Sequence, residues 1–342
     1  NFSDFGLHAS LLSNLNKKGF AQPTTIQDQA LEPALAGDDV LGLADTGTGK
    51  TMVFVLPILN KIISEGSETA IIIAPTRELA VQIQEETRIL SEGLGIYSCL
   101  IIGGADMRRQ LDNLRRGPSI LIGTPGRLKD LYQRGYLNLD TTKTVVLDEV
   151  DRMLDMGFVK DITLLLSLLP KERQTLLFSA TIDDKVEKIA RQFMINPVKI
   201  SVKTGATAQN VTQNVIRASG KAQKTNLLCE MLSKKEFCKV LVFGRTKHGV
   251  EDLGKDLIKA GFRAGAIHGN KRQNQRENVL NQFRSNHINI LIATDVAARG
   301  IDVKDITHVI NYDQPATYED YVHRIGRTGR AGKSGIALTF VD

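Results

Sequence analysis

The chain has 342 residues, of which 42% are hydrophobic and 24% charged, a balance that supports two globular cores and excludes a disordered or fibrous polymer. Nothing in it approaches the roughly 18 apolar residues of a membrane helix, and no basic-then-apolar leader opens it, so a cytoplasmic location is the expectation. The net charge of +6 is unevenly spread: residues 1–205 carry 23 Lys and Arg against 25 Asp and Glu, and residues 206–342 carry 21 against 13, which points the second half toward a polyanion.

Three cysteines and six scattered histidines lack metal-ligand spacing, which excludes a zinc module and a disulfide scaffold. Trp is absent and aromatics are only 5%, so nucleic-acid contacts should run mainly to the backbone rather than through base stacking. The chain starts at Asn1 and stops just after its last expected strand, so further terminal segments are expected.

In chain order, continuous apolar runs appear at 39–44, 69–75, 98–104, 119–125, 144–149 and 175–181. Runs that do not alternate are those of strands buried on both faces of a parallel sheet. Amphipathic helices lie between them, as at 77–90, where Leu79, Ile83 and Leu90 share a face. The polar stretch 201–214 reads as a connector. Apolar runs resume at 238–246, 288–295, 307–312 and 335–340, with a helix carrying Val250, Leu253 and Leu257. The fold class is therefore α/β, two tandem domains with mostly parallel sheets and helices on both faces. The boundaries read as 1–203, a linker 204–212, and 213–342.

The unusual residues follow the strands, at the carboxyl edge where open α/β sheets bind ligands. "ADTGTGKT" (44–51) has P-loop spacing with Ala in place of the first Gly. Thr46, Gly47, Thr48 and Gly49 would wrap phosphates with backbone N–H groups, Lys50 would reach the β- and γ-phosphates, and the Thr51 hydroxyl would meet Mg²⁺. The strand 144–147 then ends in Asp148, Glu149 and, after Val150, Asp151. A P-loop enzyme needs carboxylates there, one toward the metal and one toward the attacking water.

The ordered segments "GFAQPTTIQ" (19–27), "ADTGTGKT" (44–51), "APTREL" (74–79), "GG" (103–104), "TPGR" (124–127), "DEVD" (148–151), "SAT" (179–181), "VFGRT" (242–246), "QNQR" (273–276), "TDVAARGID" (294–302) and "HRIGRTGR" (323–330) span the chain. In these the chain resembles the DEAD-box ATP-dependent RNA helicases of helicase superfamily two, whose core is two RecA-like domains. The resemblance implies ATP and Mg²⁺ as cofactors and RNA as partner, bound by its backbone to a monomeric chain. It implies that Phe2 stacks on adenine and Gln27 reads its edge, with Gly300 and Asp302 near the ribose. Lys50, Asp148, Glu149, Arg327 and Arg330 become catalytic, the last two as arginine fingers, and Thr51 and Asp148 hold the metal. Pro75, Thr76, Arg77, Gly104, Thr124, Arg127, Thr246 and Thr294 grip RNA, and Asp151, Ser179, Thr181 and His323 couple RNA to nucleotide.

Alternatives stand beside these roles: Ser179 and Thr181 as caps of a helix at 183–194, and "HRIGRTGR" as a solvated face, against which Arg327 and Arg330, three apart, would share one face if helical. Two positions depart from the family: Asp45 where Gln is usual, and Val150 where Ala is usual. A clamp that binds ATP and RNA with little turnover is the alternative function.

Overall fold

The computed structural model describes the chain apart from residues 45–46, 67–68, 203–209, 299–302, 304 and 330–332 and the side chain of Glu319. Contacts divide the chain into two compact units, Asn1–Lys203 and Thr204–Asp342.

In the first unit, seven parallel strands, β1 (Val40–Ala44), β2 (Ala70–Ile73), β3 (Ser98–Ile101), β4 (Ile120–Gly123), β5 (Thr144–Leu147), β6 (Gln174–Ser179) and β7 (Val198–Val202), pair in the order β3-β4-β2-β5-β6-β1-β7. Both faces are buried. Val40, Ile72, Ile122, Val146 and Leu176 belong to one core cluster, and their chain neighbours Leu41, Ile71, Ile73, Val145, Leu147 and Leu177 to another. A period of two with both faces apolar produces the continuous runs seen in the sequence.

The second unit repeats the design. Strands β8 (Val211–Arg217), β9 (Val240–Phe243), β10 (Ala264–Ile267), β11 (Ile290–Ala293), β12 (His308–Asn311) and β13 (Gly335–Val341) pair in parallel in the order β10-β11-β9-β12-β13-β8. Val240, Val242, Ile290 and Ile292 pack into one cluster, and Leu241, Phe243, Leu291 and Ala293 into another.

The polar stretch 201–214 is not connector throughout: Ser201 and Val202 end β7, and Val211 begins β8, pairing with Gly335. Both are edge strands, with most side chains solvent-exposed or half-buried, and so carry no apolar run. β10 is Ala-Gly-Ala-Ile, too short in side chains to stand out, although all four residues are buried.

Candidate active site

Every strand of the first unit is parallel, so one edge of the sheet collects all the strand ends. Strand order divides that edge. The segments after β5, β6 and β1 carry the nucleotide and coupling candidates, and those after β3, β4 and β2 carry the RNA candidates.

The P-loop leads from β1 into the helix Lys50–Glu65. Gly47 and Gly49 hold φ of 87° and 90°, left-handed values that favour glycine. A Cβ on Gly49 would lie 2.6 Å from Gln27 Nε2. Gln27 braces this turn: its Nε2 donates to Gly49 O at 2.9 Å and its Oε1 accepts from Thr24 N, while the Thr24 hydroxyl donates to Thr48 O at 2.8 Å. Phe2 is buried in the core, 4% exposed, which leaves little ring face for a base. Lys50 folds back over its own loop and donates to Ala44 O at 2.8 Å. Asp45 and Thr46 lie outside the described residues.

Asp148 and Glu149 are each 3% exposed at the tip of β5. Glu149 adopts φ 54° and ψ 53°, an uncommon conformation for a non-glycine residue, and turns the chain into the helix Val150–Asp155. Its Oε2 accepts from Arg152 Nη1 at 2.9 Å. Among the described residues, Asp148 Oδ1 is buried without a hydrogen-bond partner. Burial pushes the Asp148 carboxyl up to about 7, against the opposing pull of Lys50. A buried carboxylate oxygen lacking a donor fits a hard cation held by one protein carboxylate plus substrate phosphates. Asp148 therefore has the chemistry of a single-carboxylate ligand for Mg²⁺. Val150 is fully buried among the apolar residues on one sheet face, so its extra methyl groups pack in the core.

Asp151 joins β5 to β6. Its Oδ2 accepts from Ala180 N, Thr181 N and Thr181 Oγ1 at 3.1, 3.1 and 3.2 Å, and its own N–H donates to Ser179 Oγ at 3.3 Å. Asp183, not Ser179 or Thr181, caps the helix Asp184–Phe193 by accepting from Val186 N. The capping alternative is therefore removed.

At the other half of the edge, Pro75 and Thr76 are buried after β2, and the Thr76 hydroxyl caps the helix Arg77–Leu90. Arg77 lies across the glycine pair: a Cβ on Gly104, whose φ is 77°, would fall 2.3 Å from Arg77 Nη1. Thr124 precedes the helix Pro125–Gln133 and its N–H donates to Ile101 O, while Arg127 Nη1 approaches Met107 Sδ at 3.3 Å. Gln110, not expected from sequence, braces this glycine turn through both backbone groups of Ile102 and the Ala105 carbonyl.

In the second unit, Thr246 follows β9 and caps the helix Lys247–Lys259, and Thr294 follows the neighbouring β11. His323 lies on the helix Tyr318–Ile325, which ends before Arg327. Arg327 Nε donates to His323 O at 3.3 Å. Gly300, Asp302 and Arg330 lie outside the described residues.

The same helix carries one partner of a pair that sequence reading missed. Arg324, 2% exposed, grips Asp295 with Nε and Nη2 at 2.6 and 2.7 Å, donates to Asn311 Oδ1 and Asp313 O, and lies over the Phe243 ring. Asp295 stands 29 residues away in sequence, so no local spacing reveals it.

A model of DEAD/DEAH box helicases matches residues 24–189, and one of helicase conserved C-terminal domains matches residues 223–332. The chain is 46% identical over 342 residues to the ATP-dependent RNA helicase CshA of Limosilactobacillus reuteri, covering 99% of this chain and 69% of that one. It belongs to the DEAD-box ATP-dependent RNA helicases. Its similarity to the DEAD-box ATP-dependent RNA helicase CshA of Geobacillus kaustophilus is 44% identity over 342 residues, 99% of this chain and 73% of the relative. The chain spans between 64% and 73% of the length of such relatives.

Among solved DEAD-box structures, S. cerevisiae Dbp5 bound to RNA and ADP BeF3 is similar with a TM-score of 0.88 at 32% identity, covering 100% of this chain and 89% of that one. Mss116 bound to ssRNA and UDP-BeF gives 0.89 at 30% identity, covering 99% and 74%. The two parallel-sheet units are thus the RecA-like pair of this family. Among the described residues of this DEAD-box chain, no helix is long and apolar enough to cross a membrane.

Proposed function

We propose that the chain is an RNA-stimulated ATPase that clamps single-stranded RNA and locally opens short duplexes. The observation that carries this reading is the carboxylate row at the tip of β5. Asp148 lacks a partner on Oδ1 among the described residues, Glu149 stands beside it, and Asp151 is tied to Ser179–Thr181. One loop thereby touches the P-loop chemistry and the element expected to report on RNA.

Mg²⁺, when bound, supplies positive charge to the phosphate oxygens, and Asp148 and Thr51 would hold it. Lys50 exchanges the Ala44 carbonyl for phosphate oxygens. Glu149 orients the attacking water and accepts its proton. Thr76, Arg77, Gly104, Thr124 and Arg127 hold the RNA backbone on the first domain, and Thr246 and Thr294 on the second. Residues 1–203 and 211–342 act as two domains, the linker expected at 204–212 being shortened by β8, which starts at Val211, and RNA with ATP together close them. Arg327 and Arg330 then reach the phosphates. The gripped strand is bent, which a continuous duplex does not tolerate. Phosphate loss reopens the cleft.

The test is phosphate release and strand separation with a short RNA duplex and with DNA of the same sequence. RNA should stimulate turnover at least tenfold over DNA. Equal stimulation by both, or none by either, overturns this function.

A further inference from the structure

The glycine pair after β3 is held from inside the protein. The helix Met107–Leu114 packs Met107, Leu111 and Leu114 half-buried against the core, yet its one fully buried side chain is the amide of Gln110, 4% exposed. Burying an amide is costly unless its hydrogen bonds are made, and here they converge on one turn. Gln110 Oε1 accepts from Ile102 N at 3.1 Å. Its Nε2 donates to Ile102 O at 3.2 Å and faces Ala105 O and Asp106 O at 3.3 Å. Ile102 and Ala105 flank Gly103–Gly104, so a single side chain closes the turn from beneath.

The outer side of the same turn is open to ligand. Gly104 is exposed with φ 77°, and the Arg77 guanidinium lies across both glycines: a Cβ on Gly103 would fall 3.2 Å from its Nη2, and one on Gly104 2.3 Å from its Nη1. The neighbouring strand tip is tied in as well. Thr124 N donates to Ile101 O, and Met107, on the helix of Gln110, meets Arg127 Nη1 at 3.3 Å. Two adjacent glycines are by themselves the most pliable of dipeptides. A backbone that must meet phosphates gains affinity when that freedom is removed before the ligand arrives.

We propose that Gln110 is a positioning residue for RNA binding: by fixing Ile102 and Ala105 it holds the Gly103–Gly104 turn, with Arg77 across it, in the conformation that receives the RNA backbone. Gln110 itself touches no RNA. This rests on the RNA-gripping role proposed for Gly104 and Arg77.

The test is a double-mutant cycle on RNA-stimulated phosphate release. Gln110→Met keeps the side-chain length and removes all the amide's hydrogen bonds. The RNA concentration for half-maximal stimulation should rise about tenfold, with the rate at saturating RNA and the affinity for ATP without RNA within twofold of the parent. Gln110→Asn, which keeps an amide on a shorter arm, should fall between parent and Gln110→Met, and it keeps the test open if Gln110→Met fails to fold. In the Gly104→Ala background, Gln110→Met should weaken the RNA response less than twofold further, because both changes act on one turn. Additive losses, a parental RNA response in either folded Gln110 variant, or an equal fall in ATP affinity would overturn the inference. A parental RNA response in Gly104→Ala alone would instead overturn the reading on which it rests.

Discussion

Thr181 gives both its backbone N–H and its hydroxyl to one oxygen of Asp151, at 3.1 and 3.2 Å. With Ala180 N on the same oxygen and Arg152 N on the other, the carboxylate closes the gap between the ends of β5 and β6. A charged acceptor serving several partly buried donors is worth more than an ordinary surface bond. Asp151→Ala should destabilise the first unit by about 2 kcal/mol and Thr181→Ala by about 0.5–1 kcal/mol, read by urea unfolding. Both should lower the number of duplexes opened per ATP hydrolysed more than they lower phosphate release. Equal losses in the two quantities would remove Asp151 as a coupling residue.

Gly104 combines a φ of 77° with a place under Arg77. Gly104→Ala strains the backbone by about 1 kcal/mol and must displace the guanidinium, since the new Cβ would lie 2.3 Å from Nη1. RNA affinity measured by fluorescence anisotropy should fall about tenfold, roughly 1.4 kcal/mol. Affinity for ATP without RNA should hold within twofold. A parallel drop in ATP affinity would show that the glycine serves the general fold instead.

The Arg324–Asp295 pair carries a buried charge with nearly every donor matched. Removing one partner leaves the other charge uncompensated, a loss of about 3–5 kcal/mol. Asp295→Ala should therefore unfold the second unit at markedly lower urea and leave the first unit's transition in place. Coincident shifts of both transitions would contradict this assignment.

Asp148 is placed for ligand binding at the expense of the fold, because its Oδ1 is buried without a donor among the described residues. In EDTA without nucleotide, Asp148→Asn should raise the midpoint of thermal unfolding of the first unit. Adding Mg²⁺ and ATP should stabilise the parent and leave the variant almost unmoved. A variant less stable than the parent in EDTA would contradict this view of Asp148.

Burial pushes the Cys99 thiol up to about 11, whereas Cys238 is exposed. The thiolate is the reactive form, so at pH 8 only about one Cys99 in a thousand is ionised, rising tenfold per pH unit. An alkylating reagent should label Cys238 of the native chain at pH 8 and reach Cys99 only in urea. Mass spectrometry of the labelled peptides reads both. Fast native labelling of Cys99 would place β3 nearer solvent than it lies here.

Much of the fold and site follows from local patterns. Continuous apolar runs marked β1 to β6, β9 and β11 to β13, because strands buried on both faces have no polar side to interrupt them. The P-loop and the acids at 148–151 were legible because phosphate and metal chemistry restricts residue type within a few consecutive positions. Edge strands β7 and β8 and the small-residue strand β10 were hidden, since half-exposed or short side chains look like connector. Arg152 left a faint trace, an Arg three residues after Glu149 at helical spacing. Asp295 with Arg324, and Gln110 under the glycine turn, left none that names the partner. Arg324 and Asp295 sit on elements that a parallel sheet brings together only when its crossovers fold, and Gln110 meets Ile102, eight residues away, only when the turn between them closes. Sequence determined which chemical groups the chain carries. Tertiary packing decided which of them lose water together, and so which carboxylate keeps an open oxygen, which is braced and which ties one strand end to the next.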